Sequence, residues 1–225
     1  MRKTLARQLA QQLVAALVFF LESECALAQA PAEPVAPPAQ SATAQLPFEE
    51  KKDSSLDTER GRWLVYAAYG QASAPRSQGF AEAATLSVAR DCPLGSGFSW
   101  GVEVTPLFVV NQTRVDLPGR PREVAYAVAV APILAWTIRT KASRFGLRLD
   151  GGVGIFWGFS PIPAEGSRFN FLDEFSVLVL VRAGSNHVVS AGVRRVHVSN
   201  LGLAGSDNPG LSFYSGVVGL SWPAR

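Results

Sequence analysis

Cysteine, histidine and methionine are nearly missing from this chain: two, two and one residues among 225. So few cysteines exclude a disulfide-stapled scaffold, and with so few histidines they leave nothing at metal-ligand spacing. Charge is scarce as well, at 17% of residues, with a net +3 spread along the chain. That balance offers no basic face for nucleic acid, and a hydrophobic content of 48% excludes a chain disordered throughout. After the N-terminal segment there is no apolar run of about 18 residues, which excludes a helical membrane protein. What is present is apolar sequence broken by 20 Gly and 15 Pro, so the hydrophobic residues must lie in short elements.

The first residues read as an address. Arg2, Lys3 and Arg7 form a basic region, Leu13 to Leu21 an apolar one, and Ala26-Leu27-Ala28 a small-x-small cleavage pattern. Residues 1–28 are therefore expected to be a signal peptide. Glu22 and Glu24 stand beside Cys25 where a lipoprotein box needs small residues, so lipidation is not expected. Cleavage after Ala28 would leave Cys92 as a lone, inert thiol. Residues 29–60, with APAEPVAPPAQSATAQ followed by EEKKDSSLDTER, lack periodicity and read as a disordered, flexible periplasmic tail.

From residue 61 onward the hydrophobic period is two. Phe98, Trp100, Val102, Val104, Pro106, Phe108 and Val110 are expected on one strand face. Val124, Tyr126, Val128, Val130, Pro132, Leu134, Trp136 and Ile138 form another, against alanines. Phe145, Leu147, Leu149, Val153, Ile155, Trp157 and Phe159 lie opposite Arg148, Asp150 and glycines. In lipid every backbone polar group must be paired within the protein, so a sheet can span only if it closes on itself. Strands with apolar outer faces and small or polar inner ones are what that closure requires. The expected fold is all-β: an eight-stranded antiparallel transmembrane β-barrel over residues 61–225. Its strands fall at 61–72, 81–91, 97–110, 122–139, 143–159, 168–183, 186–199 and 210–222. A barrel of that size has an interior filled by side chains, so no pore is expected. Tyr214, Gly216, Val218, Leu220 and Trp222 give the last strand an aromatic-ended face, of the kind that outer-membrane insertion machinery recognises.

Two strands carry polar residues on both faces. The sixth has Arg168, Asn170, Asp173, Glu174, Ser176 and Arg182; the seventh has His187, Ser190, Arg194, Arg195, His197, Ser199 and Asn200. Polar groups close to lipid are costly and often functional. His197 and Ser199 are two apart on a strand, so they share a face with α-carbons about 6.5–7 Å apart. A histidine there can take the serine proton and activate the hydroxyl as a nucleophile. Asn200 and the backbone amide of Gly202 are candidate donors to an oxyanion. The chemistry suggested is acyl transfer to serine followed by hydrolysis.

The run His197-Val198-Ser199-Asn200-Leu201-Gly202-Leu203, followed by Asn208-Pro209-Gly210, resembles the signature of the PagL family of lipid A 3-O-deacylases. Gly166-Ser167-Arg168-Phe169-Asn170-Phe171 with Asp173-Glu174 is similar to that family's sixth strand. The resemblance implies an outer-membrane serine esterase that removes the 3-O-linked β-hydroxyacyl chain of lipid A, within lipopolysaccharide, without a cofactor. Its site would lie on the outer wall of the barrel, with His197 as base, Ser199 as nucleophile, and Asn200 and Gly202 at the oxyanion hole. The family places an acid after the Asn-Pro-Gly-like turn to orient the histidine. Here that position is Ser212, or Leu211 without a gap, and Asp207, Asp173 and Glu174 are the candidate substitutes.

His187 reads as a loop or interface residue, because no Ser-Asn pattern follows it. Arg194 and Arg195 fit either of two roles: gripping lipopolysaccharide phosphates, or pairing with Asp150 or Glu103 inside the barrel. The alternative to the enzyme is a non-catalytic small barrel with a structural or adhesive role in the envelope.

Overall fold

A computed structural model describes residues 61–73, 80–114, 117–119, 121–139, 144–202 and 210–224. The expected signal peptide and tail, and Asp207, lie outside them. The strands are β1 (Arg62–Ser73), β2 (Ala81–Gly95), β3 (Phe98–Thr113), β4 (Arg122–Arg139), β5 (Phe145–Gly158), β6 (Phe169–Ala183), β7 (His187–Ser199) and β8 (Leu211–Pro223). Each pairs antiparallel with the next, and β8 returns to β1, closing the barrel. Closure leaves no sheet edge, which is the condition for crossing a hydrocarbon layer.

Side-chain alternation follows the expected parity on β4, where Val124, Tyr126, Leu134, Trp136 and Ile138 face outward and the intervening alanines are buried. The same holds on β5, where Arg148, Asp150 and Phe156 turn inward. On β3 the expectation needs correction. Phe98 to Val104 keep the outward face, but Phe108 and Val110 are buried in the interior, 2% and 0% exposed. The register of β3 slips against both neighbours around Pro106 and Leu107. Proline has no N–H to give to a ladder, so it sits at a bulge, and the extra residue reverses the parity beyond it.

The interior is layered. Beneath the end where β7 passes to β8 lies an apolar cluster of Phe108, Phe156, Ile162, Leu172, Val198, Leu211 and Phe213 among small alanines. Phe108 meets Phe156 and Phe213 edge-on, at centroid distances of 5.1 and 5.8 Å. Below it is a charged layer. Arg148 bonds Asp91 at 2.6 Å and Asp150 at 3.1 Å, while Arg194 is bidentate on Glu103 and bonds the Ser176 hydroxyl at 2.9 Å. Arg194 also lies over the Tyr66 ring. Side chains leave a space of only about 10 Å³ around Tyr66, Arg148 and Asp150 in this layer. Cys92 is buried.

Arg194 thus belongs to the interior. Replacing it by Met strands the carboxylates of Glu103 and Glu174 in a water-poor layer. Arg194→Met is expected to destabilise the barrel by about 3–5 kcal/mol, read as a lowered unfolding midpoint in urea. Arg194→Met/Glu103→Gln is expected to recover part of that loss.

Candidate active site on the outer wall

The parity of β7 sends Arg194, Val196, Val198 and Asn200 inward and leaves Arg195, His197 and Ser199 half-exposed on the outer wall. His197 stands in register with Asp173 of β6 on one side and with Ser212 of β8 on the other, and Ser199 is opposite Phe171. The ring Nδ1 of His197 lies 2.9 Å from Ser212 Oγ. For the other nitrogen to accept a proton, Nδ1 must carry one, so in that tautomer Nδ1–H donates to the serine oxygen.

The opposite edge of the ring faces Gly210. A methyl group at Gly210 would lie 2.5 Å from His197 Cε1, 2.8 Å from Nε2 and 3.3 Å from Ser199 Cβ. Nε2 and the Ser199 side chain therefore border the same small space, with one glycine between them and the returning chain.

Past Ser199 the backbone turns by two overlapping side-chain bonds. The Leu201 amide donates to Ser199 Oγ at 3.2 Å, and the Gly202 amide to Asn200 Oδ1 at 2.9 Å. Serine and asparagine hold such i-to-i+2 turns readily. The result is two successive left-handed residues, Leu201 at φ 54° and Gly202 at φ 77°. For leucine that conformation is uncommon and costs energy, as is often found where a site fixes its backbone. Asn200 is 2% exposed, and its Nδ2 has no hydrogen-bond partner among the described residues. An unpaired buried donor is itself unfavourable and calls for an explanation.

The remaining candidates fall in different places. Glu174 points into the barrel, 3.6 Å from Arg194, and does not share the wall with His197. Asp173 is on the wall but bonds Arg195 Nη1 at 2.7 Å, not the histidine. Arg195 is thus the outward member of the arginine pair. His187 is exposed at the far end of β7. A groove of about 410 Å³ opens over the site, lined by Val153, Gly154, Ile155, Phe171, Asp173, His197, Ser199 and Leu201. Phe171 packs edge-on against Phe169, and Phe169 against Trp157, extending an aromatic wall beside it. Neither the groove nor the Gly210 contact is evident from residue spacing, because both depend on which strands lie side by side.

Closed topology and an apolar wall define a small outer-membrane β-barrel, with a histidine and a serine on its outer face. The family model "Lipid A 3-O-deacylase (PagL)" matches residues 82–221, and the chain belongs to that family. Among solved structures, the chain is similar to Neisserial surface protein A, NspA. That match has 12% identity and a TM-score of 0.54, covering 73% of this chain and 97% of that one. It is also similar to the outer membrane enzyme PagL, with 16% identity and a TM-score of 0.50, covering 69% of this chain and 97% of that one. At such identities both likenesses speak for the fold. No curated protein matches the sequence.

Gly210→Ala is expected to leave the barrel folded, because the ring it strikes can swing away, while His197 Nε2 is displaced from the space beside Ser199. Displacements of about 1 Å in such groups cost on the order of 100-fold in rate. The measurement is kcat on an acyl ester substrate alongside the unfolding midpoint, with kcat expected to fall and the midpoint to hold.

Proposed function

We propose that this protein is a serine esterase that hydrolyses the 3-O-linked hydroxyacyl chain of lipid A in the outer membrane. The observation that carries the reading is the His197 ring, held at Nδ1 by Ser212 and presenting its other edge to the space beside Ser199. Family membership supplies the substrate.

In the proposed reaction Ser199 Oγ attacks the ester carbonyl carbon as its proton passes to His197 Nε2. The Leu201 amide, by donating to Oγ, leaves that proton free to point at the histidine. Negative charge develops on the former carbonyl oxygen. Of the two expected donors, the Gly202 amide is already engaged by Asn200 Oδ1. The charge is therefore assigned to Asn200 Nδ2, which has no partner among the described residues and would have to turn toward the wall from its buried position. The bond from the acyl carbon to the sugar oxygen then breaks, and His197 returns its proton to that oxygen. An acyl-Ser199 ester remains. Water, deprotonated by the same histidine, attacks it, releasing the fatty acid and regenerating Ser199. No metal or redox group is needed to balance either half.

Ser212 stands where the family places an acid. Its neutral oxygen can fix the tautomer and the ring angle, but it supplies no charge to the imidazolium formed in each half-reaction. Loss of the orienting acid lowers the rate without abolishing it in other serine hydrolases. Ser212→Glu is therefore expected to raise kcat by about tenfold or more, with little change in KM. Ser212→Ala is expected to lower it by up to about tenfold, as for a lost hydrogen bond.

The deciding measurement is a mass spectrum of lipid A from outer membranes containing the wild type or Ser199→Ala. Loss of one hydroxyacyl chain with the wild type alone is the expected result. Unchanged lipid A from both, with each barrel folded, would favour a non-catalytic envelope barrel that keeps this geometry. Deacylation by folded Ser199→Ala would remove the mechanism.

A further inference from the structure

One charged pair on the outer wall has no part in the reaction above. Asp173 and Arg195 face outward on β6 and β7, joined at 2.7 Å, with 45% and 39% of their side chains exposed. Charged groups on the lipid face of a barrel are unfavourable, by an amount that grows with depth. The pairing offsets part of that cost, but a pair of apolar residues would carry none, as on most of this wall.

The position of the carboxylate is what singles it out. Asp173 lines the groove that holds His197 and Ser199, among Val153, Ile155, Phe171 and Leu201. It is the only carboxylate lining that groove among the described residues. Directly in register with His197, it is a diagonal neighbour of Ser199, at about 7–8 Å between α-carbons. Arg195 occupies Oδ1, and Oδ2 has no hydrogen bond among the described residues. The groove thus offers one carboxylate acceptor in register with His197, among apolar side chains.

A plain acyl chain would leave that acceptor unpaired in the occupied groove. A chain bearing a hydroxyl within two or three carbons of its carbonyl would donate to it. We infer that Asp173, held in place by Arg195, is the residue by which this site selects a hydroxyacyl chain over an unsubstituted one. Arg195 acts as a positioning residue, fixing the carboxylate rotamer through Oδ1. The inference rests on the esterase reading of Ser199 and assigns to it the specificity of the acyl subsite.

The test uses purified full-length protein in mixed micelles. Two lipid A esters compete as substrates, identical except that the 3-O-linked chain carries or lacks its hydroxyl. Wild type is expected to prefer the hydroxylated chain in kcat/KM by about ten- to a hundredfold, the range of one hydrogen bond to a charged acceptor. Asp173→Leu is expected to collapse that ratio to within about threefold of unity, and Asp173→Glu to restore part of it. Arg195→Leu is expected to lower the ratio by a smaller factor. A merely structural ion pair would lower both rates together and leave the ratio intact, which would overturn the inference. So would the lack of any preference in the wild type. If wild type cleaves neither ester while its barrel is folded, the esterase reading itself fails and the inference falls with it.

Discussion

The whole structure depends on one constraint: in a hydrocarbon layer no backbone N–H or C=O can be left to water. Closure of β1 on β8 meets it, and closure fixes a pleat in which successive residues alternate between wall and interior. Every functional assignment follows from that alternation. Arg194 and Arg195, adjacent in sequence, have opposite fates: one neutralises Glu103 in a filled core, the other meets Asp173 on the wall. Asp173 and Glu174 divide in the same way. A site acting on a membrane lipid, as proposed, has to be on the wall, which is the face the odd-numbered residues at the end of β7 occupy.

The interior is arranged to support that end of the wall. Beneath His197 and Ser199, the inward residues Val196 and Val198 pack into the apolar cluster with Phe108, Phe156 and Phe213. Well-packed apolar side chains resist displacement, so the strand that carries the reacting groups has a rigid backing. The charged layer lies further along the barrel axis, where Arg148 and Arg194 bind carboxylates from β2, β3 and β5. Ion pairs crossing the interior tie β5 to β2 and β7 to β3.

Most of the fold was legible in the sequence, because alternation on long strands is a local signal; the site was legible only in part. Strands β4 and β5 declare their faces residue by residue. The reversal in β3 was hidden: Pro106 continues the pattern in sequence, and only the residue count against β2 and β4 exposes the bulge. His197, Ser199 and Asn200 were visible as a motif, and parity alone could have separated Asp173 from Glu174 once the outward phenylalanines of β6 were noted. Choosing between Ser212 and Leu211 needed the register across the connection between β7 and β8. Spacing cannot supply that register, because the length of a connection does not determine where pairing resumes. Gly210 escaped notice for a related reason. Its importance is an absence of atoms, seen only once the ring it would strike is in place.

The electrostatics of the site explain why a serine at position 212 is compatible with catalysis. In the proposed first step the imidazolium would form beside the oxyanion, so the two charges would arise together and offset one another in a medium that screens them poorly. A carboxylate at position 212 would add stabilisation for the cation but would also leave an unpaired anion on the lipid face in the resting state, an arrangement that is costly there. The wall does hold one carboxylate, Asp173, but with its counterion Arg195 at 2.7 Å. So paired, it presents His197 with a dipole and not a net charge, and its influence on the imidazolium falls off more steeply with distance than that of a lone anion. The resting wall is thereby close to neutral around the reacting groups. On the proposed reading, the site exchanges part of the rate an acid would give for a surface that apolar lipid can cover between turnovers, while Asp173 would accept a hydrogen bond from a substrate that brings its own donor.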